Sequence, residues 1–439
     1  MPVEAPVEIT TRKLQSSKTF FVLACIAMVL QAGLLFLALF QPGLPYTIPG
    51  AQPEALDSPQ FLHTLQALTG AHLHQRSRVD ILTNGEQYYP AELAAIRGAR
   101  RSINQEAYIF QRGEVARQFV EALAERARAG VKVNLLVDAI GSAGLTDPFL
   151  KTLRDAGGRI YSYHPLRWYT WPRVNNRTHR ELLIIDGEIG FVGGAGVADH
   201  WLKPADDEPR WRDTMARVEG EAVTGLQAVF AENWLESAGE IITGPSYFPF
   251  AKAASETITL TVGSSPTVGR STDARVLFQM LLDAAAHRIW ITTPYFLPDS
   301  SIRRELKEAV KRGVDVKIVV PGKHNDHTLT RRSSRRLYGE LLKAGARIYE
   351  YDPAMLHTKS LIVDSLWSVV GSTNMDSRSF ELNDEANLAV LDRTLAARLE
   401  RDFLEDLGQS REVTYDWWQK RPIFERVHEW FGALLERQQ

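Results

Sequence analysis

Two stretches of the chain carry a histidine, a second functional residue two positions on, and an aspartate seven positions after the histidine. They read His179-Arg180-Glu181-Leu182-Leu183-Ile184-Ile185-Asp186 and His357-Thr358-Lys359-Ser360-Leu361-Ile362-Val363-Asp364. In an extended strand alternate side chains share a face, so His357 and Lys359 are presented together and Thr358 points away. Histidine holds or releases a proton near neutrality, with an unperturbed pKa of about 6.5. Breaking a phosphodiester needs a nucleophile on phosphorus, a proton for the leaving oxygen and positive donors for the nonbridging oxygens. Two histidines with neighbouring cations supply all three without a metal.

The first stretch departs from the second at two places. Glu181 stands where the second has Lys359, and in the glycine-led block that follows, Gly193-Gly194-Ala195-Gly196 replaces Gly371-Ser372-Thr373-Asn374, so Gly196 takes the place of Asn374. A carboxylate in a phosphate pocket opposes an anionic substrate, and loss of one oxyanion donor costs about 10²- to 10³-fold in rate. Arg180 cannot stand in for the lysine, because alternation turns it to the other face.

The elements that must position these residues occur twice. Ala156-Gly157-Gly158-Arg159-Ile160-Tyr161-Ser162-Tyr163-His164-Pro165 returns, 188 positions on, as Ala344-Gly345-Ala346-Arg347-Ile348-Tyr349-Glu350-Tyr351-Asp352-Pro353. Upstream, the apolar runs Val131 to Val137 and Val314 to Val320 each follow a helical stripe, Val115, Phe119 and Leu123 in one and Ile302, Leu306 and Val310 in the other, closed by Gly130 or Gly313. A helix followed by a buried strand is the α/β pattern, and both stripes read as core faces. Asp186-Gly187 between apolar runs signals a hairpin turn. The histidines are 178 apart rather than 188, because the first half has a longer loop, Leu166 to Thr178, with Trp168, Trp171 and three arginines. A duplication of this kind predicts two similar units about a pseudo-twofold axis, with equivalent residues converging on one site.

His357 to Asp364 and Gly371 to Asn374 match the HxKx4D and GSxN signature of phospholipase D enzymes. With Tyr349-Glu350-Tyr351 before, and Arg378-Ser379-Phe380 and Asn383-Asp384-Glu385-Ala386-Asn387 after, the chain resembles bacterial cardiolipin synthases from about residue 78 to its C-terminal end, Arg421-Pro422 and the amphipathic stretch after it included. The resemblance implies two tandem phospholipase D-like α/β sandwich halves forming one pseudo-twofold unit. It also implies a mechanism in which one histidine becomes a phosphohistidine while the other protonates the departing alcohol and then activates the acceptor. Carried onto this sequence, the site comprises His179, His357, Lys359 and Asn374. Glu385 is the acid expected to orient the histidine of its own half, Asp213 of Trp211-Arg212-Asp213-Thr214 is its candidate counterpart in the first half, and Asp186 and Asp364 are motif members that could instead anchor their hairpins.

Three roles are open for Glu181: pairing with Lys359 or an arginine in an asymmetric site, binding the polar head group of an acceptor, or marking a silent site that only binds lipid. The asymmetric enzyme ranks first because both histidines and a complete second motif remain. Arg173, Arg177 and Arg378 are available cations, Arg177 and Arg378 being the expected substrate contacts. The pair His324 and His327 lacks a third ligand for a metal, and the run Arg331 to Arg336 reads as a solvated helix face before it reads as an anion site. Trp417, Trp418, Phe424, Trp430 and Phe431 suit either a membrane surface or packing on the body. No cofactor and no metal are expected.

With 439 residues, hydrophobic residues at 44% and a net charge of -2, the chain can bury a large core but gives no global attraction to polyanions. Its single cysteine, Cys25, excludes an internal disulfide. Thr19 to Phe40 is a run of 22 uncharged residues, about 33 Å as a helix and enough for a hydrocarbon core of roughly 30 Å. Arg12, Lys13 and Lys18 precede it and no Lys or Arg follows until Arg76, so the positive-inside rule puts the N-terminus in the cytoplasm and the rest outside. The run exceeds a signal-peptide core and lacks a small-residue cleavage pattern, and reads as an uncleaved anchor. The expected organisation is a cytoplasmic N-terminus at 1–18, a transmembrane helix at 19–40, a linker at 41–77 with a short helix at Phe61 to Leu68, a first half at 78–250 and a second at 251–439. The resemblance and the anchor together point to phosphatidyl transfer between two phosphatidylglycerols, giving cardiolipin and glycerol at the cell membrane. The alternatives are a hydrolase of phospholipid or nucleic acid, with nucleic acid ranked below lipid, and a silent lipid-binding homologue.

Overall fold

The computed structural model describes residues 9–40, 46–49, 54–168, 170, 173–203, 209–250, 254–265 and 272–422, with side chains left undescribed at 9–17 and 35–40. The chain divides at Leu44 into two compact units. The first contains the helix Ile9–Phe40, 32 residues long, whose Phe20, Phe21, Val29 and Leu34 side chains are exposed. Among the described residues no helix is long and apolar enough to cross a membrane; side chains 35–40 of the expected span lie outside them.

The second unit is built on one sheet of 15 strands. Its first half contributes β1 (Leu73–Thr83), β2 (Ser102–Ala107), β3 (Lys132–Asp138), β4 (Arg159–Tyr163), β5 (Leu182–Ile185), β6 (Ile189–Gly193) and β7 (Thr214–Gly220). The second contributes β8 (Thr257–Ser264), β9 (Arg288–Thr292), β11 (Asp315–Pro321), β12 (Arg347–Tyr351), β13 (Ser360–Val363), β14 (Trp367–Gly371), β16 (Glu385–Leu391) and β17 (Ser410–Val413), while β10 (Phe296–Leu297) and β15 (Met375–Asp376) pair separately. The order β4-β3-β2-β5-β6-β7-β1 is mirrored by β12-β11-β9-β13-β14-β16-β8, with β17 added at the far edge. The halves join where β1 and β8 run antiparallel, Leu73 opposite Leu260. The duplication in the sequence is thus a duplication in the sheet, and the α/β halves form one continuous body.

Hydrophobic periodicity accounts for the flanking layers. Val115, Phe119 and Leu123 of the helix Glu114–Arg128 are buried, as are Ile302 and Leu306 of Ser300–Lys311. Gly130 and Gly313 follow these helices at φ 86° and 90°, the left-handed region in which glycine carries no Cβ penalty. The stretch expected as a linker is, from residue 54, part of the body. The helix Pro59–Thr69 buries Phe61 and Leu65 in the second half's core, and Trp367 Nε1 donates to Leu56 O at 2.9 Å. Strand β1 already starts at Leu73, ahead of the expected boundary at 78.

The motif aspartates are anchors, which corrects their inclusion among catalytic groups. Asp186 and Asp364 sit at φ 56° and 54° in the hairpins β5–β6 and β13–β14. The Asp186 carboxylate accepts from the amides of Arg100 (2.9 Å), Arg101 (2.6 Å) and Ser102 (2.9 Å). Asp364 accepts from Ala286 (2.8 Å), His287 (2.8 Å) and Arg288 (2.7 Å). Each carboxylate therefore pins its hairpin to the start of the neighbouring strand, β2 or β9, with its oxygens committed to backbone. Asp186→Ala is expected to lower stability by about 2–3 kcal/mol in chemical denaturation, since amides would lose their acceptor, with Asp186→Asn losing less.

Candidate active site

His179 and His357 precede β5 and β13, and neither pairs there with its own half. His179 N donates to Asp384 O at 2.9 Å and Asp384 N to Arg177 O at 2.9 Å; His357 N donates to Arg212 O at 2.7 Å and Arg212 N to Met355 O at 2.8 Å. Each histidine segment is thus laid beside a segment of the other half that ends one residue before an acid. The acids follow this crossing. His179 Nδ1 lies 3.1 Å from both carboxylate oxygens of Glu385, and His357 Nδ1 lies 2.8 Å from Asp213 Oδ2. Glu385 and Asp213 therefore orient the histidine of the opposite half, not of their own, because the backbone pairing that places them is between halves.

The acids are themselves held. Ser372 of the Gly-Ser-Thr-Asn block donates to Glu385 Oε2, and Asp213 accepts from Trp201 Nε1 at 3.1 Å and Thr214 N at 2.8 Å. A carboxylate on Nδ1 fixes the tautomer and leaves Nε2 for chemistry. Asn374 is buried, its N donating to Ser379 Oγ at 3.1 Å, and its Oδ1 has no hydrogen-bond partner among the described residues. Gly194 can only be glycine-sized, since a Cβ would stand 2.6 Å from Asp213 Oδ1 and 2.9 Å from Lys359 Cδ.

Lys359 folds back on the second histidine, with Nζ 2.9 Å from Nδ1 and 3.0 Å from Nε2, and donates to His357 O at 2.9 Å. Burial drops the Lys359 pKa to about 8 against the pull of Asp213, Glu385, Asp326 and Glu181. Burial, and then the Lys359 charge, push His357 below the usual histidine value although Asp213 opposes them. His357 is therefore held neutral at pH 7, next to an ammonium that loses its proton within reach of physiological pH.

Glu181 does not enter the site as an opposing charge. Its Oε1 accepts from the amides of Tyr108 at 3.1 Å and Ile109 at 3.0 Å, just beyond β2. Burial pushes its pKa well above the carboxylate range, against those amides and Lys359. A Cβ on Gly196 would lie 2.3 Å from Ile109 O and 2.9 Å from Glu181 Oε1. The two departures in the first motif are one packing solution: the glutamate fills space that an asparagine at 196 would need. The carboxyl is thus spent on two amides rather than on a direct ion pair, and Lys359 acts on it only through its charge. Arg180, fully buried, does turn away, bonding Val229 O (2.7 Å), Ser265 Oγ (2.8 Å), Glu232 (2.9 Å) and Ser264 O (3.1 Å).

The other expected cations are differently placed. Arg177 is buried and spent on Asn176 O (2.7 Å), His164 O (3.2 Å) and Asp138 (3.5 Å), so its role is structural and not substrate contact. Arg173 pairs with Glu236. Arg378, half-buried on the short helix Ser377–Glu381, donates to Asn175 Oδ1 (2.9 Å) and O (3.0 Å), which ties it to the first half's long loop. In the arginine run, Arg335 grips the buried Glu350 at 2.7 and 2.8 Å. Trp418 stacks where Gly339 leaves room and donates to Arg335 O, while Phe424, Trp430 and Phe431 lie outside the described residues.

Sequence reading missed the aromatic walls. Tyr108 stands edge-on to His179 at 5.2 Å, and Trp201, Trp211 and Tyr295 surround His357 at 5.5, 5.2 and 6.5 Å between ring centroids. Tyr108-Ile109-Phe110 and Tyr295-Phe296-Leu297 follow equivalent strands, β2 and β9; the same repeat that revealed the halves carries this signal.

A family model described as a cardiolipin synthase, PLD-like domain matches residues 93–208 and 278–407. The chain belongs to this cardiolipin synthase family. It is 35% identical over 362 residues to a cardiolipin synthase of Geobacillus kaustophilus, covering 82% of this chain and 72% of that one. It is 36% identical over 358 residues to cardiolipin synthase 2 of Bacillus anthracis, covering 81% and 69%. A phosphatidylserine synthase crystal structure from Haemophilus influenzae superposes with a TM-score of 0.67 over 86% of this chain and 99% of that one at 14% identity, and so shares the fold. The cardiolipin synthase family fold is here combined with a glutamate latch in the first motif. Glu181→Gln is expected to keep activity within about threefold, since it retains an acceptor for both amides, whereas Glu181→Lys is expected to lose about 10²-fold or more by placing a donor against donors and burying a second charge. Purified-enzyme rates with matched thermal melts distinguish the two.

Proposed function

We propose that this protein is a phosphatidyltransferase that joins two phosphatidylglycerol molecules into cardiolipin and releases glycerol through a phosphohistidine intermediate. The observation that carries the reading is the pair of imidazoles, each oriented through Nδ1 by a buried acid of the opposite half, with Lys359 against His357, together with membership of the cardiolipin synthase family. Nε2 of one histidine attacks phosphorus, the bond from phosphorus to the glycerol oxygen breaks, and the second histidine gives that oxygen its proton. The second histidine then takes the proton of a hydroxyl on another phosphatidylglycerol, whose oxygen attacks phosphorus and frees the first. Lys359 neutralises charge on the nonbridging oxygens. The Glu181 latch leaves this set of groups intact, which favours an active asymmetric site over a silent lipid-binding one.

The membrane setting belongs to the same reading. The uncharged run Thr19 to Phe40 behind Arg12, Lys13 and Lys18 supports a single-pass anchor with the N-terminus in the cytoplasm and the catalytic body on the outer side. Phosphatidylglycerol fits as both donor and acceptor because it carries a transferable phosphatidyl group and a free primary hydroxyl. Hydrolysis is the second reading, distinguished only by water taking the place of that hydroxyl.

Incubation of the detergent-purified protein with phosphatidylglycerol is expected to yield cardiolipin and glycerol by mass spectrometry. His357→Ala is expected to lower that rate by about 10²- to 10⁴-fold; phosphatidic acid as the sole product would instead identify a hydrolase. The Lys359 pKa, lowered from 10.5 to about 8, means that the ammonium is charged below about pH 8 and neutral above it. Turnover is therefore expected to fall as pH rises through 8, and Lys359→Arg, which stays charged, to flatten that limb of the pH profile.

A further inference from the structure

A third carboxylate stands beside the catalytic groups and holds neither histidine Nδ1. Asp326 lies in the loop that follows β11, and its charge is felt at Lys359, at His357 and at His200, whose ring packs 4.1 Å from that of Trp211. Glu385 and Asp213 are fully buried, whereas the Asp326 side chain is 22% exposed. Tyr295 aims it. The Tyr295 hydroxyl donates to Asp326 Oδ2, and burial, then the Asp326 charge, push that hydroxyl well above its ordinary pKa, so it stays a donor. The Tyr295 ring stands 6.5 Å from that of His357. Its backbone is fixed to the motif segment of the second half: Thr293 Oγ1 donates to Tyr295 O at 3.1 Å and accepts from Met375 N at 3.2 Å, and Phe296 pairs with Met375, the residue after Asn374. The first half has no such acid. The runs Val131 to Val137 and Val314 to Val320 correspond 183 positions apart, which puts Ala143 at the position equivalent to Asp326.

We propose that Asp326, aimed by Tyr295, is a specificity-determining residue that accepts hydrogen bonds from the free hydroxyls of a glycerol head group at the His357 end of the site. A carboxylate this near Lys359 opposes the phosphate that the lysine serves, so the part of the substrate that it favours is a hydrogen-bond donor. In phosphatidylglycerol the donors are the head-group hydroxyls, and a hydroxyl that donates to a charged acceptor makes one of the stronger hydrogen bonds. An ammonium head group would bring a second positive charge toward Lys359, whereas a hydroxyl brings none. The inference rests on the reading that phosphatidylglycerol is the substrate, and it names the residue that tells this head group from one without hydroxyls. The one-sided placement of the acid, with Ala143 in the other half, fits a reaction in which the alcohol meets one of the two histidines.

The test presents the full chain with equimolar phosphatidylglycerol and phosphatidyl-1-propanol in the same detergent micelles, the two lipids having the same acyl chains and phosphate charge but only the first having free hydroxyls. The ratio of glycerol to 1-propanol released early in the reaction is measured. Both donors compete for one enzyme before the same acceptors, so the ratio reports head-group recognition whether the phosphatidyl group passes to lipid or to water. The parent is expected to favour glycerol release. Asp326→Asn, which keeps the size and removes the charge, is expected to lower the ratio about tenfold, and Tyr295→Phe about threefold in the same direction. An unchanged ratio in Asp326→Asn, at whatever absolute rate, overturns the proposal, because a residue that only tunes Lys359 and His357 slows both donors alike. With phosphatidylethanolamine in place of phosphatidylpropanol, a fall in ethanolamine release while glycerol release holds would overturn it in favour of an ammonium site. The phospholipid product is read in the same samples. Phosphatidic acid in place of cardiolipin would overturn the transferase reading and still leave the alcohol ratio to decide the role of Asp326.

Discussion

Backbone hydrogen bonds between His179 and Asp384, and between His357 and Arg212, tie each catalytic segment to the other half of the molecule. From that constraint the rest of the site follows. An acid one residue beyond each bridge lands on the Nδ1 of the opposite histidine, the two Nε2 atoms are left for chemistry, and the sheet must continue from β1 into β8 to hold both bridges at once. Neither half could assemble half a site alone, because the group that orients each imidazole comes from its partner. The fold needs two copies of one motif for this reason, and the copies must face each other about a pseudo-twofold axis.

Within that frame the two halves are free to differ where symmetry is not required. In the second half, Lys359 reaches the centre and Asn374 lines it. In the first, Glu181 retreats onto the amides of Tyr108 and Ile109, and Gly196 vacates the volume that the retreat needs. Lys359 is then the buried ammonium of the site, and the first half contributes no lysine at the equivalent position. Burial lowers the proton affinity of that ammonium and of His357 beside it, so the site holds one cation and one neutral imidazole in contact, a pairing that a second nearby lysine would strain further by like-charge repulsion.

The loop Leu166 to Thr178 ties the first half to the catalytic segments of the second. Its inner end is bonded to Arg378 and to the segment that carries Glu385, and its outer end displays Trp168.

Much of this was legible in the residues. The duplicated segments fixed the count and likeness of the halves, because hydrophobic periodicity and turn glycines are local properties. The spacing of His357, Lys359 and Asp364 identified the chemistry, since strand alternation alone puts a histidine and a cation on one face. Alternation also excluded Arg180. Tertiary structure decided which acid serves which histidine, because the bridging hydrogen bonds join residues 205 and 145 positions apart and no local pattern records them. It decided that Asp186 and Asp364 hold strands and that Arg177 is buried scaffolding, since a carboxylate or guanidinium reads the same in sequence whether its partners are amides or substrate. And it decided the meaning of Glu181, whose charge suggested opposition to phosphate until the adjoining space at Gly196 and the two amides beyond β2 gave its carboxyl somewhere else to go.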